Sequence, residues 1–108
     1  MPMKFLTKEI EARFVALGRQ DHDEAIVVCK FFCPWNNWTW FATEYDPDEP
    51  GTNDGNFFGL VQGFETELGS FNRKELEAVR GPMGLRIERD LHWREKPLSE
   101  VRAKIGVL

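Results

Sequence analysis

The chain has 108 residues, 42% of them hydrophobic and 30% charged, with a formal net charge of −4. That is the size and balance of one globular domain with a single core, and it excludes a disordered tract. The acidic balance argues against nucleic acid as a partner, because loose binding to phosphate backbones needs clustered lysine and arginine.

The N-terminus, MPMKFLTKEIEARF, has no apolar run ahead of its charges, so no secretory signal is read there. The longest apolar runs are far too short to span a bilayer, and no membrane partner is expected. A cytoplasmic location follows as the expectation. Thr7 ahead of KEIEARFVAL reads as a capped helix, with Ile10, Phe14 and Leu17 on one apolar stripe. Gly18 is placed to end it with a left-handed residue, and RQDHDE is then a polar loop.

AIVVCKFFC is rich in branched and aromatic side chains and too short for a helix, so it is read as a strand. PWNN is a turn, because Pro34 sets φ and Asn36 and Asn37 tolerate unusual backbone angles. WTWFATEYD resumes as the second strand of a hairpin, PDEPGTNDG is a loop by its prolines and glycines, and NFFGLVQGFE is the third strand.

Asn72 is then an N-cap answered by Glu75 three residues on, with Phe71 and Leu76 placed as a hydrophobic staple. Gly81-Pro82 is expected to stop that helix at Arg80. LRIERDLHW alternates, with Leu85, Ile87, Leu91 and Trp93 on one side, interrupted only by Arg89. It reads as a half-exposed strand. A short helix from Leu98 to Ile105 closes the chain. No repeat or linker interrupts it. The expected architecture is a single α+β domain over residues 1–108, a mostly antiparallel sheet of about four strands with two to three helices packed on one side.

Cys29 and Cys33 are the only cysteines. Four residues of extended strand span roughly 13 Å, beyond the ~7 Å Cα limit of a disulfide, so two small buried thiols are expected, as in a reducing compartment. The same distance argues against a shared metal. His22 and His92 are too few and too isolated to nominate zinc, and no phosphate loop, nucleophile elbow or metalloprotease helix is present. No metal and no cofactor is expected.

Three tryptophans fall between Trp35 and Trp40. Strand alternation puts Trp38, Trp40 and Ala42 on one face, and Thr39, Phe41, Thr43 and Tyr45 on the other. On the third strand Gly59, Val61 and Gly63 share a face. Glycines two apart leave a trough that an indole of a neighbouring strand covers, so Trp38 or Trp40 is expected over Gly59 and Gly63. Trp35, in the turn, is the candidate for contact with a partner.

Carboxylates gather in two places. Glu44, Asp46, Asp48, Glu49 and Asp54 follow the second strand into its loop, a solvated acidic surface without a calcium-loop pattern. Glu65 and Glu67 form the second group with Arg80, Arg86, Glu88, Arg89, Asp90 and His92, read either as an ion-pair ladder or as a site with a His or Glu base and an arginine anion clamp.

KFFCPWNNWTWFATEYDP, FFGLVQGFETELGSF, ELEAVRGPMGLRIERDLHW and KPLSE together resemble a family of small bacterial proteins, domain of unknown function 2958. The likeness runs from about Leu6 to Glu100. Members are similar to proteins carried by plasmids, integrative elements and phages, and the resemblance implies an accessory role that includes interference with host defence. It brings no catalytic residue with it. The leading expectation is therefore a non-enzymatic module that binds another protein through Trp35, Asn36, Asn37, Glu44 and Asp46. The alternative is a small enzyme or ligand-binding domain with a pocket at Glu65, Glu67, Arg80, Arg89, Asp90 and His92. A third is single-stranded nucleic acid stacked on exposed Trp38 and Trp40.

Overall fold

In a computed structural model that describes residues 4–47 and 54–106, Thr7 opens helix α1 (Lys8–Leu17) as its spacing predicts. Its hydroxyl oxygen accepts from the Ile10 N–H at 3.2 Å, and Gly18 closes the helix at φ 62°. Phe14 is the buried residue of the stripe, with Ile10 and Leu17 at its margins.

The expected first strand is two. β1 (Ile26–Val27) leaves the main sheet to pair with a later segment, and β2 (Cys29–Phe32) enters the hairpin. β3 (Thr39–Pro47) and β4 (Gly55–Gln62) follow, antiparallel. Residues 48–53, and with them Asp48 and Glu49 of the expected acidic loop, lie outside the described residues. β4 stops three residues short of the expected third strand. Gly63-Phe64-Glu65 is the loop of a hairpin into β5 (Thr66–Asn72), a strand that sequence periodicity does not reveal.

Asn72 caps α2 (Arg73–Ala78), its side chain accepting from the Glu75 N–H at 3.0 Å. The helix ends two residues before Arg80, whose guanidinium donates back to the carbonyls of Glu77 (2.7 Å) and Val79 (3.0 Å). The predicted strand over 85–93 shrinks to β6 (Glu88–Arg89). Asp90 is the reason: its carboxylate accepts from the His92 N–H at 2.9 Å, closing a local turn that competes with the ladder. Ile87 is buried, but Leu85 and Leu91 are 42% and 64% exposed, so the alternation marks no continuous buried face. β7 (Lys96–Pro97) pairs with β1, and α3 (Leu98–Ile105) falls where the sequence places it.

Among the described residues the main sheet has five strands in the order β5-β4-β3-β2-β6, all antiparallel, beside the β1-β7 ribbon. The class is α+β with a mostly antiparallel sheet, and the strand count exceeds the expected four. The helices lie on both sides rather than one. Cross-strand partners project to the same side of a sheet. Phe31, Trp40, Tyr45 and Phe57 therefore share the face that meets Phe14 of α1 and Leu76 of α2. Phe41 and Leu60 point the other way, to Leu98 and Val101 of α3.

Phe57 is the hub of the first cluster, with the rings of Tyr45 at 4.6 Å, Phe31 at 5.2 Å and Phe71 at 5.3 Å around it. Each fully buried phenyl ring of this kind contributes about 1.5–3 kcal/mol.

Both cysteines are free and buried. Burial pushes the Cys29 thiol up to about 12, with the charge of Arg89 opposing slightly. A thiol held protonated when folded favours the native state below its unfolded value of 9.0, and that advantage is lost as pH rises toward 12. The difference corresponds to about 4 kcal/mol. Alkaline denaturation is therefore expected to be steep in the wild type between those values. It is expected to be shallower in Cys29→Ala, measured as urea midpoints against pH; parallel curves for the two proteins would refute the linkage.

Candidate functional site

Gln20 is a polar side chain buried just after α1, and it fastens the following loop to the sheet. Its amide donates to the carbonyls of Thr43 (2.7 Å) and Ile26 (3.0 Å), and its carbonyl oxygen accepts from the Ile26 N–H (2.7 Å). The Gln20 backbone N–H donates in turn to Glu44 Oε2 at 3.1 Å. Loop and strand are thereby set as the two walls of a cleft.

The orientation of the strand wall depends on a β-bulge. The β3–β4 register runs Ala42↔Gly59 and then Glu44↔Phe58, leaving Thr43 as the extra residue. Its hydroxyl donates to the Phe58 carbonyl at 3.2 Å. Beyond the bulge the alternation is inverted. Tyr45, expected with Phe41, instead joins Trp40 and Ala42 in the first core, and Glu44 and Asp46 turn together to the opposite face. Unbroken alternation would have aimed Glu44 into that core.

The cleft has a volume of about 500 Å³. Its polar lining includes Arg19, Asp21, Glu44, Asp46, Asn56 and Ser70, with accessible apolar surface from Phe58 and Val15. Arg19 stands 3.8 Å from Asp21, both largely exposed, so its charge is already shared. A second hollow of about 260 Å³ shares Asp21 and Phe58 with the first and continues along the same loop to Leu68 on β5.

The strand wall carries one sign of charge, Arg19 of the loop wall being the cation of the lining. Between Lys30 and Arg73 the sequence has no lysine, arginine or histidine, and every charged side chain from Glu44 to Glu67 is a carboxylate. This stretch is β3, β4 and β5, so three adjacent strands form an acidic half of the sheet. Such an arrangement attracts cationic groups and repels phosphates.

The expected binding residues separate into two sets. Glu44 and Asp46 share the cleft. Trp35, Asn36 and Asn37 sit in the β2–β3 turn, at the other end of β3, roughly 23 Å away at 3.3 Å per residue. They do not form one surface with the acidic residues. Trp35 is half-buried and packs on the first core, its indole lying over Gly81 so closely that an added Cβ would be 2.5 Å away. Asn36 accepts from the Trp38 N–H at 2.9 Å, bracing the turn.

Trp38 lies over Gly63 in the same manner, as expected, but Gly59 is crowded by the backbone of Phe41 and not by an indole. Trp40 is 8% exposed. Trp38 shares a small hollow with Phe64, Glu65 and Glu67, so its flanking charges are carboxylates, the wrong sign for a nucleic-acid strand.

The alternative polar set is divided as well. Glu65 and Glu67 belong to the β4–β5 hairpin, at one edge of the sheet; Arg89, Asp90 and His92 lie at or beside β6, at the other. Four strand spacings, roughly 19 Å, separate the two edges. Arg89 donates to the carbonyls of Lys4 (3.0 Å) and Phe5 (3.2 Å), and Asp90 is 4.0 Å from Lys30 Nζ. Arg80 caps its own helix. These are structural roles, and no cleft among the described residues joins the six.

Among the described residues, no three His, Cys, Asp or Glu side chains converge as a metal would require. No helix among them is long and apolar enough to cross a membrane. Arg19, Asp21, Asn56, Phe58 and Ser70 are among the site residues that sequence reasoning passes over. Asp21 was readable only as part of a loop cluster, and the usable signal was the missing cations between Lys30 and Arg73.

The model of one protein family, described as "Protein of unknown function (DUF2958)", matches residues 5–104. No curated protein and no solved structure matches the chain.

Proposed function

This chain belongs to the DUF2958 family, and we propose that it is a non-enzymatic accessory module that binds another protein through the acidic half of its sheet. The observation that carries this reading is the cleft. The bulge at Thr43 brings Glu44 and Asp46 to one face beside Asp21, against Phe58 and Val15, on strands that bear no cation, with Arg19 of the loop wall already beside Asp21. Carboxylates over apolar surface suit a basic protein segment, whose lysine and arginine stems cover apolar area while their heads reach the acids. The Trp35 turn of the original expectation serves the core in this reading. The finer context is part of the same proposal: carriage on a bacterial mobile element, action in the cytoplasm, and interference with a host defence or regulatory protein.

Affinity purification from a bacterial lysate tests it, with wild type run beside the double substitution Glu44→Gln/Asp46→Lys. Glutamine keeps an acceptor for the Gln20 N–H, and Asp46 is exposed, so the fold should survive. The expected result is a stoichiometric partner whose affinity falls with added salt and is at least tenfold weaker for the double variant. A partner held equally by both proteins, or none at stoichiometry, would overturn the proposal.

A further inference from the structure

β5 forms one edge of the main sheet, and it lacks the devices that normally block an edge. It pairs with β4 without a bulge from Gln62↔Thr66 to Asn56↔Asn72, and its sequence, TELGSFN, contains no proline and no lysine. Among the described residues nothing pairs with its outer side. Edges of this length are usually protected by inward charges, proline, bulges or covering loops, because their free N–H and C=O groups are a template for another strand. The opposite edge, β6, is two residues long.

From these features we infer that β5 accepts an extended segment of another protein as a sixth strand, an inference that rests on the protein-binding reading above. Register defines the chemistry of that segment. Glu67, Gly69 and Phe71 face one side of β5, and Thr66, Leu68 and Ser70 the other. A strand laid against β5 meets a carboxylate on the first side and the half-exposed Leu68 (46%) on the second. Gly69 is open space: a Cβ there meets nothing within 4 Å, leaving a hollow for a neighbouring side chain. Phe64, 94% exposed, stands beside Trp38 in the preceding turn as a further apolar contact.

The fitting occupant therefore alternates basic and apolar residues. Main-chain hydrogen bonds supply its affinity and alternate side chains its specificity. A second copy of this chain fits less well, because its β5 offers no basic residue to answer Glu67.

The test uses the full chain, labelled with nitrogen-15, and the synthetic peptide acetyl-VKVKVKVK-amide, with acetyl-VEVEVEVE-amide as control. The lysine peptide is expected to perturb amides across 66–72, and the glutamate peptide is not. Leu68→Lys and Glu67→Lys, both at exposed positions, are each expected to weaken binding at least tenfold. Perturbations confined to the cleft around Glu44 and Asp46, with Leu68→Lys binding as wild type, would overturn strand addition while leaving the acidic-half reading intact. Absence of peptide binding at either place would overturn strand addition too, and the lysate comparison would then judge the broader reading alone. A concentration-dependent dimer in sedimentation, abolished by Leu68→Lys, would assign the edge to a second copy and overturn the proposed occupant.

Discussion

Gly59→Ala is expected to be the most damaging small substitution in this protein, costing more than about 3 kcal/mol or abolishing the cooperative unfolding transition. A methyl group at residue 59 would overlap the carbonyl oxygen of Phe41 and stand 2.9 Å from its carbonyl carbon and 3.0 Å from Ala42 Cα. All three are backbone atoms of the adjacent strand, so no rotamer change relieves the overlap. β3 would have to separate from β4 beside the bulge. The bulge is also what turns Glu44 and Asp46 into the cleft, so any folded fraction should lose partner binding as well.

Gly69 is the control. It is the cross-strand partner of Gly59 on β5, yet a Cβ there meets nothing within 4 Å. Gly69→Ala is expected to stay within about 1 kcal/mol of wild type, gaining from lower entropy of the unfolded chain. Urea denaturation of the two variants decides the matter. Equal losses would show that general strand propensity, and not backbone crowding, keeps glycine at residue 59.

Arg73→Met is expected to lower stability by about 3 kcal/mol, or roughly 12–20 °C in Tm. The Arg73 side chain is 9% exposed. It donates to Glu77 at 2.7 Å, to Glu11 at 3.0 Å and to the Tyr45 hydroxyl at 3.2 Å, joining α2, α1 and β3. Burial opposes its charge, but the bonds donated to Tyr45 and Glu77 outweigh that and raise its pKa. Methionine fills much of the space but leaves the buried Tyr45 hydroxyl without its donor and unties α2 from α1 and β3. The Glu11 and Glu77 side chains, 40% and 29% exposed, turn to water, so the hydroxyl and the lost three-way tie set the cost.

Arg73→Lys should recover little, since an ammonium on a flexible stem cannot hold three acceptors in a planar fork. Arg13→Ala makes the contrast. Arg13 and Glu95 form a two-pronged pair at 2.9–3.1 Å, but both side chains are well exposed and the effect should be small. Thermal melts giving similar losses for the two arginines would contradict this assignment.

Local grammar was reliable where the partners of a residue lie within a few positions of it. Thr7 and Asn72 cap their helices through N–H groups three residues on, and α3 runs between its expected ends. The β2–β3 hairpin follows from Pro34 and the asparagine pair. Where partners come from elsewhere in the chain, periodicity misled. TELGSFN carries no buried stripe because it is an edge strand, so nothing in its pattern marks it as β5. LRIERDLHW has the alternation of a strand, but Asp90 folds it into a turn, and Ile87 and Trp93 end in different cores.

The amino-acid order alone determined the class of fold, the helix starts at Thr7 and Asn72, the span of α3, the first hairpin and the charge segregation between Lys30 and Arg73. Each depends on propensities, caps or counts that a short window contains. Only the folded chain decided which face the acids occupy, because one extra residue at Thr43 inverts every side chain after it and its position is set by the backbone of β4. The tertiary structure also set Trp35 apart from those acids by the length of a strand, and left β5 at an edge. These outcomes belong to pairings between distant segments, and no single segment records them.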